Sequence, residues 1–179
     1  MSSNWGKHVK GATWNSQRQK IIRAISDLKN LAPGDRSREL RIQEICKKVS
    51  ELLDESQLPD RPQWVDKNRA IPDEMKEHSK LAAPVVAAIR ALTEQETGRR
   101  WGDDLHIGSS VGMKSFRFDV WYKTDEELSR DRSSGRQAEI SGVIQRITRR
   151  VANASSTVYF HSHQYIQERC GGDYSSYLR

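Results

Sequence analysis

Hydrophobic positions recur at helical spacing in three segments of the chain, residues 37–54, 82–96 and 136–153. The positions are Ile42, Ile45, Val49, Leu52 and Leu53, then Val85, Ile89 and Leu92, then Ile140, Val143, Ile144, Ile147 and Val151. Spacing of three and four residues predicts amphipathic helices, each burying one face. Pro84 fits the first turn of the second helix, and Gly98 is expected to stop it.

Between the second and third predicted helices, the pattern changes to strict alternation. One set of positions is Phe116, Phe118, Val120 and Tyr122, and the other is Arg117, Asp119, Trp121 and Lys123. A period of two predicts a half-buried strand. Gly112–Ser115 is interpreted as the turn from a preceding strand, Leu105 to Val111, and residues 157–163 predict a later strand.

The second face of the alternating strand carries an indole, Trp121, between cationic side chains. Two interpretations stay open. Trp121 covers a hydrophobic seam, or it stacks on a flat, phosphate-bearing ligand with Lys114 and Arg117 near the phosphates.

The remaining segments give weaker signals. Residues 17–31 fit either a helix or a short strand followed by a turn, and residues 54–72 are irregular, with three prolines. Residues 124–135 are highly charged and are expected to form a solvated loop. The tail, residues 164–179, is expected to add a short final strand.

These elements predict one α+β domain over residues 1–179. We expect a curved antiparallel sheet with helices packed on its convex face and a ligand site on its concave face. Residues 1–16 are expected to be a flexible, basic N-terminal segment or loop.

Composition narrows the class of partner. The 179 residues carry a net charge of +6, with 35% hydrophobic and 30% charged residues, which favours polyanionic partners such as nucleic acid.

Two cysteines, Cys46 and Cys170, suit a reducing compartment. With no apolar leader and no long apolar run, the expectation is a cytoplasmic protein without a membrane partner.

Catalytic patterns were tested against the residues, and most fail. His161 and His163 lie two positions apart on a predicted strand, so both imidazoles share one face as a metal site needs, but the acidic ligand expected further along is missing. The default interpretation is two half-exposed strand histidines. Asp119 lacks the second carboxylate of a two-metal site, and Glu139 falls in a predicted helix without a following Lys. No catalytic residue, metal or cofactor is therefore expected. A small metal-dependent nuclease or nucleotidyltransferase using Asp119 stays open as the alternative, as does a basic RNA-binding protein.

Several segments together resemble a known family. The run comprises VVAAIRALTEQ, GDD, LHIGSSV, GMKSFR, FDVWYK, EISGVIQRI and TVYFHSHQ, with PQWVDKN, IQEICKKVSELL and ATWNSQ upstream. In this order the segments resemble the initiation factor 4E family, the eukaryotic mRNA cap-binding proteins.

The resemblance implies a site for the 7-methylguanosine cap in translation initiation or its regulation. By motif, Trp14 and Trp64 stack on the methylated base, because a cationic ring is stabilised between aromatic faces. Trp121 lies near the methyl group, and Lys114 and Arg117 bind the phosphates.

The chain departs from the family at three positions. The base-reading Glu is replaced by Val65, so Asp66 takes that role only if the loop shifts. The family's leading phosphate Arg is replaced by Gly112. The resemblance also implies a scaffold initiation factor or binding protein on the helical face near Ile45, Cys46 and Val49, although Cys46 stands where the family has a partner-binding Trp.

Overall fold

The computed structural model describes residues 11–32, 34–56, 73–109 and 113–174, with side chains over 15–32, 34–54, 81–109 and 113–174. Within these ranges the chain forms six α-helices and three strands, an α+β fold that is mostly helical. The elements are α1 Gly11–Asn30, α2 Ser37–Ser56, α3 Asp73–Thr97, β1 Leu105–Ser109, β2 Ser115–Tyr122, α4 Asp125–Ser133, α5 Arg136–Ala152, β3 Ser155–Ser162 and α6 His163–Cys170.

The helices predicted from apolar spacing are present. α2 and α5 match their predicted bounds closely, but α3 begins at Asp73 rather than near residue 82. Pro84 therefore lies inside α3 and not in its first turn, which corrects the prediction. Gly98 follows the helix with a φ of 65°, a left-handed conformation that glycine adopts without strain.

Residues 17–31, which fitted either a helix or a short strand, are helical up to Asn30. α1 starts at Gly11, so residues 11–16 of the expected N-terminal loop belong to a helix, and residues 1–10 lie outside the described part. Ile21, Ala24, Ile25 and Leu28 form its buried stripe. Three- and four-residue steps decide the element type, because a strand would have buried alternate residues.

Two segments without a hydrophobic signal contain helices that were not predicted. The predicted polar loop at 124–135 contains α4, a helix with no buried residue. Thr124 caps it, its hydroxyl accepting a hydrogen bond from the Glu127 N–H at 3.2 Å, and acidic residues occupy its first turn. The first part of the tail forms the helix α6, capped by the Ser162 hydroxyl. The strand expected in the tail is absent up to Tyr174, and residues 175–179 lie outside the described part.

The sheet has the order β1-β2-β3 and is mixed. β1 and β2 pair antiparallel, with Ile107 opposite Phe118, whereas β3 pairs parallel to β2, with Tyr159 beside Asp119. A purely antiparallel sheet was thus the wrong expectation. The reason is the crossover: the 17 residues of α5 rise about 25 Å, about the length of an eight-residue strand, and return the chain to the end where β2 began.

One face of the sheet belongs to the hydrophobic core. Phe116, Phe118, Val120 and Tyr122 from β2 are buried with the apolar stripes of α1, α2, α3 and α5. The alternation predicted this face correctly. Among the described helices, none combines the length and apolarity needed to cross a bilayer.

Candidate ligand-binding face of the sheet

The other face of the sheet carries polar and aromatic side chains. It is formed by Arg117, Asp119 and Trp121 from β2 and by Tyr159 and His161 from β3, and we call it the polar face. Because β2 and β3 are parallel and in register, Asp119 lies beside Tyr159 and Trp121 beside His161. The expected placement of Arg117 and Trp121 on one face agrees with the strand alternation.

An ionic network lies at the centre of the polar face. Arg117 donates from Nε to Asp119 Oδ2 at 2.9 Å and to Oδ1 at 3.1 Å, and from Nη2 to Oδ1 at 2.9 Å. His161 Nε2 lies 2.8 Å from Asp119 Oδ1. Since an ionised carboxylate only accepts, Nε2 carries the proton of this hydrogen bond. Asp119 is 2% exposed and His161 7% exposed, so two donors neutralise a buried charge.

Burial and hydrogen bonding shift the pKa of Asp119 in opposite directions. Burial alone raises it, because water no longer stabilises the charge, but the hydrogen bonds from Arg117 and His161 and their positive charges outweigh burial and hold the pKa below its ordinary value. The carboxylate of Asp119 is therefore ionised at neutral pH.

A second feature of the polar face is a row of rings around Trp121. The indole lies 4.5 Å from the His161 ring and 5.1 Å from the nearly parallel His163 ring, and the Tyr174 ring contacts it edge-on at 5.2 Å. Trp121 is 5% exposed. These rings hold the indole in place and cover it, so Trp121 forms a fixed side of the site and does not offer an open face for stacking.

His163 links the tail of the domain to the start of the sheet. Its Nδ1 lies 2.9 Å from the Tyr174 hydroxyl, and its Nε2 lies 3.4 Å from Asp104 Oδ1. Asp104 immediately precedes β1, so the contacts join the segment after α6 to the first strand. If Nε2 donates to Asp104, Nδ1 accepts from the Tyr174 hydroxyl, and both ring nitrogens of His163 are used.

The end of the polar face at Tyr159 is accessible. Tyr159 is 44% exposed, and the Arg117 guanidinium carbon lies 4.6 Å from the centroid of its ring. Arg117 binds Asp119 through Nε and Nη2, and its Nη1 makes no hydrogen bond within the described residues. Lys114 directly precedes β2 and has an exposed side chain, and its backbone carbonyl accepts a hydrogen bond from the Ser155 N–H at 3.0 Å.

Only one of the two predicted stacking residues has a described backbone. Trp14 lies in α1 by its backbone, not in a loop, and its side chain is outside the described part. Trp64 and Asp66 also lie outside the described residues. Of the six predicted ligand contacts, the structure describes the side chains of Lys114, Arg117 and Trp121.

Metal ligation and partner docking concern the residues around this face and on α2. Among the described residues, no group of three His, Cys, Asp or Glu side chains is arranged to hold a metal ion. On α2, Ile45 and Val49 are fully buried in the core, so they are not available as the partner-docking surface that was predicted, and only Cys46 of that trio is partly exposed. Burial raises the pKa of the Cys46 thiol.

Sequence reasoning missed Asp104, Tyr159 and Tyr174 as parts of this face. His161 and His163 were noted as a pair on one face, and both indeed contact Trp121, but they were expected to be half-exposed, and His161 is buried. Tyr159 was missed because its position beside Asp119 depends on the parallel pairing of β3 with β2, and the expected sheet was antiparallel. No local pattern identifies Tyr174, which reaches the site through α6.

No family model matches the chain, and no curated protein or solved structure matches it either.

Proposed function

We propose that this chain is a non-enzymatic binding protein for a ligand that carries an aromatic base and phosphates, bound at the polar face. The observation that carries the proposal is the pairing of the exposed Tyr159 ring with the Arg117 guanidinium at 4.6 Å. A ring and a cation side by side suit the two halves of a nucleotide, because bases stack on aromatic and guanidinium planes and phosphates accept from guanidinium N–H groups.

The phosphate end of the ligand is assigned to Arg117 and Lys114. Asp119 orients the Arg117 guanidinium through Nε and Nη2, which lowers the entropic cost of binding, and leaves Nη1 for a phosphate oxygen. Lys114 precedes Arg117 by three residues and adds a second positive charge at the same end of β2.

The more specific form of the proposal is recognition of the 7-methylguanosine cap of mRNA, in translation initiation or its regulation. In that form, Trp14 and Trp64 stack on the methylated base, Asp66 contacts its edge, and Trp121 lies against the methyl group. The sheet would curve around the ligand, with the helices on its convex side. The resemblance to cap-binding proteins and the phosphate-suited end of the polar face support this form, and cytoplasmic mRNA is the corresponding partner.

The alternative, a metal-dependent nuclease or nucleotidyltransferase using Asp119, is less well supported. Both Asp119 oxygens already accept hydrogen bonds from Arg117, and Oδ1 also accepts from His161. A divalent cation would have to displace these donors, since it would compete for the same lone pairs. Mn²⁺-dependent cleavage of a labelled RNA, abolished by Asp119→Asn, would favour the alternative over binding.

The binding proposal is tested by fluorescence titration with 7-methylguanosine triphosphate and with unmethylated GTP. We expect saturable tryptophan quenching that is stronger with the methylated nucleotide, since the cationic base gains cation–π energy. Tyr159→Ser and Lys114→Ala should each weaken binding about threefold to tenfold. Lys20→Ala, which removes an exposed cation on α1, is the matched control and should have no effect.

Two other results would distinguish cap recognition from general nucleotide binding and would test the location of the site. Equal binding of methylated and unmethylated nucleotides, still dependent on Tyr159 and Lys114, would retain nucleotide binding and remove cap recognition. Binding that does not respond to Tyr159→Ser or to Lys114→Ala would contradict the assignment of the ligand to the polar face.

A further inference from the structure

A cavity of about 450 Å³ lies away from the polar face, among the helices. Its lining comes from the last residues of α1, the start of α2, the C-terminal part of α3 and the residues that follow α3. A volume of this size is within the range of about 300–1,000 Å³ that is typical of small-molecule sites.

The cavity is lined by four cationic side chains and one carboxylate. The cations are Lys29, Arg38, Arg99 and Arg100, and the carboxylate is Glu94. Glu94 is already engaged, because its Oε1 accepts a hydrogen bond from the Trp101 N–H at 3.3 Å. Lys29 and Arg100 make no hydrogen bond or ion pair within the described part of the chain. The lining therefore has an excess of positive charge.

Two of the arginines are held in place by uncharged groups. Arg38 donates from Nη1 to the carbonyls of Leu31 at 2.8 Å and Ala32 at 2.9 Å, and its Nε donates to the Gln95 side-chain oxygen at 2.8 Å when that amide is turned toward it. The Arg99 guanidinium carbon lies 4.0 Å from the Trp101 ring centroid. The charge of Arg38 also acts on the nearby Asp35 carboxylate and helps to lower its pKa. Asp35 does not line the cavity, so the lining itself keeps its excess of positive charge.

The cavity also has an apolar part. Leu28 and Ala91 line it, and they are 2% and 6% exposed. An inorganic anion gains nothing from contact with apolar side chains. An organic group attached to a phosphate is stabilised there, because its apolar surface is removed from water.

We propose that this cavity binds a small organic phosphate of about nucleotide size. The phosphate would lie among Lys29, Arg38 and Arg100, and the organic part would pack toward Leu28 and Ala91. This site is separate from the polar face and does not depend on the function proposed for that face.

The test is calorimetric titration of the full chain with ADP and, separately, with inorganic pyrophosphate. We expect saturable ADP binding that weakens by at least about tenfold in the Lys29→Ala/Arg100→Ala double variant, because two charge-assisted contacts are lost. Pyrophosphate should bind more weakly than ADP. Neither side chain has a recorded partner among the described residues, so the thermal melting curve of the double variant should match that of the unaltered protein.

The matched control is Lys20→Ala/Arg132→Ala, which removes the same two residue types from exposed positions outside the cavity. It should bind ADP as the unaltered protein does. Absence of saturable ADP binding, or equal binding by the double variant and the control, would overturn the proposal. The two sites are distinguished in a Lys114→Ala/Tyr159→Ser background, where nucleotide binding at the polar face is weakened. In that background Lys29→Ala/Arg100→Ala should still reduce ADP binding by at least about tenfold.

Discussion

Asp119 connects the two strands that form the polar face. It accepts hydrogen bonds from Arg117 on its own strand and from His161 on β3. Each partner also contacts a ring, since Arg117 lies over Tyr159 and His161 against Trp121. The position of both rings therefore depends on one buried carboxylate.

Replacing Asp119 with Asn should destabilise the protein by about 2–3 kcal/mol, because two donors lose their charged acceptor in a buried site. Urea denaturation at pH 7 measures the change. Asp103→Asn is the control, since Asp103 is exposed beside the sheet, and it should change stability by less than about 0.5 kcal/mol. An equally small effect at Asp119 would mean that the network contributes little.

The stability difference between the unaltered protein and Asp119→Asn should depend on pH. The folded-state pKa of Asp119 lies below its ordinary value, so its stabilising contribution is complete above the unfolded pKa of about 3.9 and is lost as pH falls through the folded pKa. We expect the stability gap between the unaltered protein and Asp119→Asn to be constant from pH 7 to about pH 5 and to narrow below about pH 4. A gap that widens on acidification would reverse the sign and contradict the assignment.

At the scale of the elements, the sequence predicts what is periodic and misses what is not. α2, α5 and β2 were found because burial imposed a period on their side chains. α4 was missed because it buries no residue, so only its cap and charge order mark it as a helix. The parallel pairing of β3 was missed because strand direction depends on the crossover, which the residues of the strand do not encode.

α1 provides the sharpest test of an element that the sequence left undecided. Ile21 is fully buried, and its neighbour Ile22 is 39% exposed. Ile21→Ala should cost about 2–4 kcal/mol in the free energy of unfolding, and Ile22→Ala less than about 1 kcal/mol, because only the first leaves a cavity in the core. The two variants have the same chemistry and adjacent positions, so urea denaturation of both compares burial alone. Similar losses would contradict the orientation of α1.

At the scale of the whole molecule, a net charge of +6 fits two modes of RNA binding that differ in their salt dependence. A local site in which Lys114 and Arg117 contact the phosphates should give a slope of log K against log salt concentration of about −1 to −2. A protein that coats RNA through its general basic surface should give a steeper slope. Filter binding of a capped oligoribonucleotide across a salt series measures the slope, and a value beyond about −4 would favour coating.

The components of the candidate site were predictable to different degrees. Arg117 and Trp121 followed from strand alternation, because side chains two positions apart share a face. Tyr174 and Asp104 did not, because Tyr174 follows α6 and Asp104 precedes β1, and only folding brings both to His163. The network that orients Arg117 likewise depends on His161 from a strand 42 positions away along the chain.

The most direct test of the central claim is an amide NMR titration of the ¹⁵N-labelled full chain with 7-methylguanosine triphosphate, using GTP as the reference. The proposal predicts saturable shift changes concentrated around Lys114, Arg117, Tyr159 and Trp121, with a higher affinity for the methylated nucleotide. Shift changes absent from β2 and β3, or confined to the helices, would contradict ligand binding at the polar face.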